Sequence, residues 1–446
     1  MGAQQSGKKM GFDITRVTCA HWLLVLAAAA LSACGGGSSG GGGAAAPAAC
    51  AATSQKQFVL DVMQDIYLYN EQMPVVDLDS FATAESLLEA LLVDPPDRFS
   101  FIGSAAADDA FFGAGQFVGL GFGTRLVAAD ELRLTDVFAG SPAAAAGLER
   151  GYGILAIDGR SIAEITAAEG VDAAFGPDEV GHVVQLSVAD PGGGESDISV
   201  TKAVVTIPPV PIETVFAIGG RPVGYLFFRT FVEPSFAALD EAFARFADAG
   251  VRDIVLDMRY NGGGLVAVAD FLGNLLGGLN ANGQVFSMTV FNANNAFRNT
   301  TTLLMNETHS LSLDRLVFIT TGATASASEI VINSLGPHVT TFVVGSSTFG
   351  KPVGSLGFTF CDKILRPTSF ETVNAASEGG YFDGLPADCA AADDLDFALG
   401  DPAEPSLAEA LFVVANDRCS DAETVMTAKQ RVAAERDPWR RLVNAR

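Results

Sequence analysis

Two polar residues that lie in apolar surroundings are the strongest candidates for chemistry in this sequence. Ser326 stands in "TGATASASEIVINSL", between an apolar run and a helical pattern, and Lys351 follows the next apolar run in "VGSSTFGKPVG". A serine hydroxyl becomes a nucleophile when a base takes its proton, and that base is usually histidine. A lysine can replace histidine when burial disfavours its charged form. The two residues together favour nucleophilic catalysis by a Ser–Lys dyad.

Both residues also have simpler interpretations. Ser326 and Glu329 fit a capping box that starts a helix, and the same serine can serve both purposes. Lys351 could be a surface lysine after a strand, since lysines are rarely buried. None of the histidines sits in a recognisable triad motif, and His338 is the alternative base.

An anion site is predicted beside these residues. The stretch "DIVLDMRYNGGG" is an apolar strand that ends in Asn261 and three glycines, so backbone amides there are free to point at an anion. Ser326 stands where a strand becomes a helix, and the amides at a helix start carry partial positive charge. Together they could stabilise an oxyanion.

The surrounding pattern predicts the elements that position these residues. From Gln55 to about Leu92 apolar residues recur at helical spacing, which predicts a helical cap. Short strands follow from Phe117. Beyond residue 207 strands and helices alternate, which is typical of a layered α/β core, and the predicted elements are "GYLFF", a helix opened by Pro234, "DIVLDMR", "RLVFITT", the Ser326 helix and "TTFVVG".

The first strands resemble those of a PDZ domain. Gly119, Leu120, Gly121 and Phe122 match the Gly-Leu-Gly-Phe loop of that family, and "SPAAAAGL" and "ILAIDG" match its later helix start and strand. The resemblance implies that the loop amides receive the terminal carboxylate of a peptide, which adds a strand to the sheet edge. Arg125 is a further candidate contact for this carboxylate. Gly-Tyr-Gly at 151–153 departs from the usual Gly-Asp.

The chain as a whole resembles the carboxyl-terminal processing, or tail-specific, protease family. The motifs are "TASASEI", "STFGK" and "DMRYNGGG", in the order helical cap, PDZ, α/β core. The resemblance implies that Ser326 is the nucleophile, that Lys351 is its base, and that the amides of Gly263 and Ala327 form the oxyanion hole. It also implies a crotonase/ClpP-like core. Two positions depart from the family: Pro352 replaces the usual Gly, and Ser355 replaces a Gln that orients the lysine, so Ser355 is a candidate third member.

The N-terminus predicts export and lipidation. Basic residues precede the apolar run "HWLLVLAAAALSAC", which is too short to span a membrane and ends in a sequence resembling the bacterial lipobox at Cys34. A plain signal with a chance cysteine is the alternative. A Gly-, Ser- and Ala-rich tether follows, and Gly35 resembles the sorting pattern for the outer membrane. We expect a cell-envelope protein that faces the periplasm.

The net charge and the cysteines bear on the partners, metals and disulfides that we expect. The net charge of -25 argues against nucleic acid, because phosphate contacts need Lys and Arg. No cysteine lies at zinc-ligand spacing and no cofactor signature is visible, so we predict no metal and no cofactor. Four cysteines allow three pairings in an oxidising compartment. We favour Cys361 with Cys389 and Cys50 with Cys419.

The sequence therefore predicts a multidomain α+β fold made of a small helical N-terminal cap, a β-sandwich-like PDZ domain and an α/β protease core. The predicted segments are a signal peptide at 1–33, a tether at 34–53, the helical domain at 54–110, the PDZ domain at 111–206, the core at 207–430 and a tail at 431–446. The predicted function is a lipid-anchored serine endopeptidase whose substrates are proteins or peptides with apolar carboxyl ends. The alternatives are a non-catalytic PDZ scaffold and, less favoured, a hydratase-like crotonase enzyme.

Overall fold

The computed structural model describes residues 50–168 and 170–420. The predicted signal segment, the lipidation site Cys34 and the C-terminal tail therefore lie outside the described residues. Within the described part of the chain, no helix is long and apolar enough to cross a bilayer.

The N-terminal region, residues 50–115, is mainly helical. Its elements are α1 (Ala52–Ile66), α2 (Ala84–Leu91), β1 (Phe101–Ser104) and α3 (Ala105–Ala114). The apolar faces of α1 and α2 pack together through Val59, Met63 and Leu87. The helical cap predicted from Gln55 to about Leu92 consists of two α-helices with short 3-10 turns between them. Pro74 lies in that stretch, and proline has no N–H for a helix interior.

The middle region, residues 116–206, has its own sheet and core. Its elements are β2 (Gln116–Gly119), β3 (Phe122–Ala128), β4 (Glu131–Val137), α4 (Pro142–Ala145), β5 (Gly153–Ile157), β6 (Arg160–Ser161), α5 (Ile162–Ala168), α6 (Val171–Ala174), β7 (Val183–Ala189), β8 (Glu195–Thr201) and β9 (Ala203–Thr206). The main sheet has the order β3-β4-β5-β7-β8, with β6 paired to β5, and β2 pairs separately with β9. β3 is at the edge of this sheet and pairs only with β4 among the described strands, so its other side is open to a further strand.

The core region, residues 207–420, is a layered α/β structure. Its elements are β10 (Ile212–Ile218), β11 (Arg221–Phe227), α7 (Ser235–Asp248), β12 (Asp253–Asp257), α8 (Val266–Ala281), β13 (Val285–Phe291), β14 (Thr300–Leu303), β15 (Arg315–Thr320), α9 (Ala327–Leu335), β16 (Thr341–Gly345), β17 (Val353–Ser355), β18 (Phe358–Phe360), β19 (Lys363–Arg366), β20 (Thr368–Asn374), β21 (Cys389–Ala390) and α10 (Pro405–Asn416). The strands and helices predicted from apolar runs in this region are confirmed.

The central sheet of the core region has the order β10-β11-β12-β15-β16-β21 and is parallel from β11 onward. Every residue of β12 and β15 is buried because helices cover both faces. Ile254 and Leu256 point into the cluster under α7, α8 and α9. Val255, between them, points to the opposite face and packs with α10. This alternation explains why the three central positions of the strand, Ile254 to Leu256, are all apolar.

Two smaller sheets complete the core region. One has the order β14-β13-β20-β17 and the other the order β1-β19-β18, so β1 of the N-terminal region joins a hairpin of the core region. The parallel strands β12, β15 and β16 end at one edge of the central sheet. The loops that follow them carry Asn261 to Gly264, Ser326 and Lys351, and they therefore meet at this edge.

The disulfides differ from the predicted pairing. Cys50 is bonded to Cys361, with Cα atoms 5.8 Å apart, and Cys389 is bonded to Cys419, with Cα atoms 5.4 Å apart. The hairpin turn that holds Cys361 pairs through β19 with the N-terminal region, which brings it to Cys50. Similarly, α10 packs on the central sheet and ends beside β21, so Cys419 meets Cys389.

A buried ionic cluster joins the middle region to the core region. Asp393, in the segment after β21, accepts hydrogen bonds from Arg125 and Arg150 of the middle region and from Arg259 and Tyr260 of the core region. A buried carboxylate is tolerated only when it is paired and hydrogen-bonded. The buried charge of Asp393 is therefore stabilised only when the middle and core regions pack together in this arrangement.

Candidate active site

Ser326 occupies a strained turn between β15 and α9. Its backbone has φ +57° and ψ −116°, a conformation that costs a non-glycine residue about 1–3 kcal/mol and persists only when the surroundings hold it. Two contacts hold it here. The Ser326 N–H donates to Glu329 Oε2 at 2.8 Å, as the capping box predicts, and the preceding Ala325 N–H donates to the Asn261 carbonyl at 3.0 Å. The turn is thus fixed from two sides.

Glu329 is a fully buried carboxylate that joins the serine turn to the lysine loop. Oε1 accepts from Thr348 Oγ1 at 2.6 Å and from the Gly350 N–H at 2.7 Å. Oε2 accepts from the N–H groups of Ser326 and Lys351, at 2.8 and 2.9 Å. Burial raises the pKa of Glu329, while these four hydrogen bonds oppose that rise. One carboxylate oxygen therefore holds the backbones of Ser326 and Lys351 next to each other.

Lys351 is buried, with 2% of its surface exposed. Its Nζ lies 5.4 Å from the centre of the Phe99 ring. The preceding Gly350 has φ +89°, and a Cβ there would lie 2.2 Å from the Phe382 carbonyl oxygen. Only glycine fits this position, which accounts for the Gly-Lys pair in the motif.

The glycine loop after β12 lies against the serine turn. Gly263 has φ +97°, and a Cβ there would lie 2.9 Å from both Ser326 Cβ and the Ala327 nitrogen. Ala327 is the first residue of α9, so its N–H has no carbonyl partner within the helix. The Gly263 N–H donates to Asn261 Oδ1 at 2.9 Å. The structure thus brings Gly263, Ser326 and Ala327 together, with the Gly263 amide held by Asn261.

Ser355 lies in β17, where it pairs with Thr368 of β20. Its hydroxyl is buried and has no hydrogen-bond partner among the described residues. The ring of the alternative base His338 has a backbone partner of its own: its Nε2 lies 2.7 Å from the Val285 carbonyl oxygen.

The loop formed by Gly119, Leu120, Gly121 and Phe122 connects β2 to the edge strand β3. Its carbonyl groups are already bonded: the Leu120 oxygen accepts from Ala143 N–H, and the Gly121 oxygen accepts from Phe138 N–H, both at 2.9 Å. Gly121 has φ +89°, and a Cβ there would overlap Ser141. The Arg125 guanidinium, predicted beside this loop, is bound to Asp393, donating to its backbone carbonyl at 2.9 Å.

Three residues have positions in this site that the sequence did not assign to them. Phe99 comes from the N-terminal region, Asn261 holds the glycine loop, and Tyr381 lies beside Glu329. Burial raises the pKa of the Tyr381 phenol well above its usual value, and the nearby Glu329 adds to this rise. The signal for Asn261 was its place before the glycines, whereas Phe99 and Tyr381 carry none.

Metal ligation has one geometric candidate in the described part of the chain. Ligand atoms of Cys389, Glu409 and Cys419 lie close together. Both sulfurs belong to one disulfide, so they cannot act as thiolate ligands.

Comparison with known proteins finds related families and relatives. Residues 222–380 match the family described as Peptidase family S41, and residues 54–101 match the Peptidase S41 N-terminal domain. The carboxyl-terminal-processing protease of Synechocystis sp. is 28% identical over 224 residues, which cover 50% of this chain and 50% of that protein. The carboxy-terminal-processing protease of Bartonella bacilliformis is 26% identical over 279 residues, which cover 60% and 59%. The chain spans about half the length of the curated relatives it matches.

A solved structure is similar over most of the chain. The crystal structure of a Bacteroides fragilis protein assigned to the S41 proteases is 25% identical, with a TM-score of 0.66. The match covers 80% of this chain and 96% of that chain. The predicted mixed α+β multidomain fold is confirmed by this likeness.

Proposed function

Because two segments of this chain match models of the peptidase S41 family, we propose that it belongs to this family and is a serine endopeptidase that cleaves proteins near their carboxyl ends. Ser326 is the nucleophile and Lys351 is its general base. One observation carries the proposal: Glu329 Oε2 accepts hydrogen bonds from the backbones of both residues, at 2.8 and 2.9 Å. A shared buried carboxylate gives the constant mutual placement that a catalytic dyad requires.

The reaction follows from these roles. The neutral Lys351 amine takes the Ser326 hydroxyl proton as Oγ attacks the scissile carbonyl carbon. The oxyanion that forms accepts hydrogen bonds from the N–H groups of Ala327 and Gly263. The Gly263 N–H then donates to the oxyanion in place of Asn261 Oδ1. The Lys351 ammonium then protonates the leaving amine, and the acyl-enzyme forms. Lys351 next takes a proton from water as the water attacks the ester carbonyl. It then gives this proton to Ser326 Oγ as the ester bond breaks and the new carboxyl end is released.

Substrates reach the site through the middle region, which we assign as a PDZ domain in front of a crotonase/ClpP-like core. The loop of Gly119, Leu120, Gly121 and Phe122 binds the terminal carboxylate, and β3 accepts the peptide as an added strand. The open edge of β3 supports this role. The apolar residues Phe122 and Phe175, whose rings contact at 5.6 Å, favour an apolar peptide end.

The protein acts in the cell envelope in this proposal. Cys34 carries the lipid and becomes the first residue of the mature chain, and the tether lets the protease face the periplasm. The two disulfides support an oxidising compartment.

The test is digestion of an unfolded protein by the purified wild type and by Ser326→Ala. We expect the substitution to lower the rate by at least about 1000-fold, because removing the nucleophile removes the acyl-enzyme route. A serine-directed phosphonate should label the wild type at Ser326. Lys351→Arg should be folded and unlabelled, since Arg keeps its charge and accepts no proton. Equal digestion by wild type and Ser326→Ala would refute the proposal.

A non-catalytic PDZ scaffold is the second candidate function. Two observations favour it: the Ser355 hydroxyl makes no hydrogen bond in the described structure, and the Gly263 amide is bonded to Asn261. In a scaffold, Ser326 would stay unlabelled by the phosphonate while the PDZ domain still bound peptides. The two readouts together separate the two functions.

A further inference from the structure

The N-terminal region supplies one wall of the lysine pocket. The Phe99 ring centre lies 5.4 Å from Lys351 Nζ and 5.3 Å from the Arg98 guanidinium carbon. Arg98 also stacks on the Phe349 ring, at 4.6 Å, and Nη2 donates to the Phe349 carbonyl at 3.1 Å. Phe99 is 3% exposed, whereas Arg98 is an exposed residue. One ring therefore contacts both the buried lysine and a solvent-facing guanidinium.

This wall is anchored to the strand that holds the lysine loop. The buried Asp97 Oδ1 accepts from Phe99 N–H at 2.9 Å and from Thr368 Oγ1 at 2.8 Å. The Ser100 hydroxyl accepts from Thr368 N–H at 2.8 Å. Thr368 belongs to β20, which pairs with β17, the strand that begins two residues after Lys351. The position of Phe99 is thus fixed relative to Lys351.

The same segment also reaches the serine side of the site. Phe101 packs in a small cluster with Ala325, the residue before Ser326, and with Phe112 and Phe349. Both Phe101 and Ala325 are buried. Residues 98–101 therefore contact Lys351 and the residue that precedes Ser326, although they lie more than two hundred positions away in the chain.

We propose that Phe99 and Arg98 are positioning residues for Lys351, so that the N-terminal region completes the active site. The aromatic face of Phe99 holds Nζ in place and attracts its charged form. The positive charge of Arg98, on the same ring, opposes protonation of the amine. This inference rests on the proposed Ser–Lys function.

The two residues should therefore shift the activity profile in opposite directions. Activity rises with pH as the Lys351 ammonium loses its proton, so the acidic limb reports that deprotonation. Loss of the ring removes a stabiliser of the ammonium and moves the limb to lower pH. Loss of the Arg98 charge removes a repulsion and moves it to higher pH. Other ionisable groups around the lysine are Asp97 behind Phe99, Glu329 on α9 and Tyr381 beside Glu329, and they stay unchanged in these variants.

The experiment compares kcat, KM and the acidic limb of kcat/KM for a peptide substrate. Phe99→Leu should lower kcat about tenfold with little change in KM, and move the limb down by about half a pH unit or more. Phe99→Tyr keeps the aromatic face and should restore most of kcat. Arg98→Gln should move the limb up by a similar amount, and Arg98→Lys should not. Phe58→Leu, a ring of the same region that stacks on Phe360, is the matched control.

The outcomes are separable. If phosphonate labels Ser326 in the wild type, the proposed function stands, and the limb shifts test the inference alone. Unmoved limbs in both Phe99→Leu and Arg98→Gln would overturn it. Equal losses of kcat in Phe99→Leu and Phe58→Leu, with parallel losses of thermal stability, would also overturn it. If Phe99→Leu does not fold, Arg98→Gln decides, because an exposed side chain can be replaced without disturbing the core.

Discussion

The Glu329 carboxylate accepts four hydrogen bonds. Replacing one of its oxygens by an NH₂ group should therefore disturb the site. In Glu329→Gln, an NH₂ group must face either the Gly350 N–H or the N–H groups of Ser326 and Lys351. Leaving a buried donor unpaired costs about 1–3 kcal/mol. We expect kcat to fall at least tenfold and the thermal midpoint to drop, measured by peptide hydrolysis and circular dichroism.

The control for this change is Glu241→Gln on the exposed face of α7. It removes the same charge far from the site and should leave kcat and the midpoint near the wild-type values. Unchanged kcat in Glu329→Gln would show that the carboxylate is only a helix cap and that other contacts place Lys351.

At the residue scale, the candidate reactive residues could be predicted from the sequence, but most of the hydrogen bonds that hold them in place could not. Ser326 and Glu329 are close in the chain, so the capping bond could be predicted from their spacing. The bonds from Glu329 to the lysine loop could not, because they join positions on separate loops. The bond between Asn261 and the Gly263 amide is local, yet the sequence does not show whether a glycine amide is free or occupied.

At the scale of elements, strands that are continuous apolar runs could be predicted from the sequence, and strands of mixed polarity could not. β12 and β15 are buried on both faces, so their runs stand out and were predicted. No strand was predicted for β13, β14 or β17 to β20. These strands mix polar with apolar residues, such as Thr289 in β13 and Glu371 in β20, and their pairing joins distant positions, such as Phe101 with Arg366. Long-range pairing of this kind leaves no periodic signal in either segment.

The disulfides show the same limit. Four cysteines leave three pairings open, and the choice depends on where one hairpin, one strand and one helix lie in space. The turn at Cys361 pairs with the N-terminal region and α10 ends beside β21, neither of which follows from spacing.

The edge strand β3 and its loop lead to a prediction for peptide binding. A free carboxylate can accept charge-assisted hydrogen bonds from the loop amides, and amidation removes that charge. We expect an apolar-ended peptide to bind at least about tenfold more tightly as the free acid than as the amide. The measurement is calorimetric titration of both forms into the Ser326→Ala protein, which cannot digest them. Equal affinities would contradict carboxylate recognition by the loop of Gly119 to Phe122.

At the scale of the whole molecule, Asp393 holds the middle and core regions together. Besides the four side chains bound to it, Arg150 donates to the Phe397 carbonyl at 2.8 Å and Arg133 pairs with Asp396. Arg229 of the core region pairs with Asp136 of the middle region and stacks on Phe138. Arginine–carboxylate pairs therefore recur across this interface, and among these carboxylates Asp393 has the most partners.

Burial alone would raise the pKa of Asp393, but the guanidinium groups of Arg259, Arg125 and Arg150 hold it well below its usual value. A carboxyl group with a lowered folded pKa adds stability above its unfolded pKa of about 3.9, and this stability is lost as pH falls through the folded pKa. Asp393→Asn should therefore be destabilised at pH 7, by about 3–5 kcal/mol for a broken buried ion pair.

The matched control is Asp396→Asn, in the same segment, whose carboxylate is 65% exposed and whose pairing with Arg133 should contribute little. Urea midpoints followed by circular dichroism at pH 7 should fall clearly for Asp393→Asn and hardly for Asp396→Asn. Below about pH 4 the gap between wild type and Asp393→Asn should narrow, because the unfolded wild type then takes up a proton at Asp393 while the folded protein still holds the carboxylate ionised, which favours unfolding. A gap that stays constant down to pH 3, or equal midpoints for the two variants at pH 7, would show that the remaining contacts hold the regions together without Asp393.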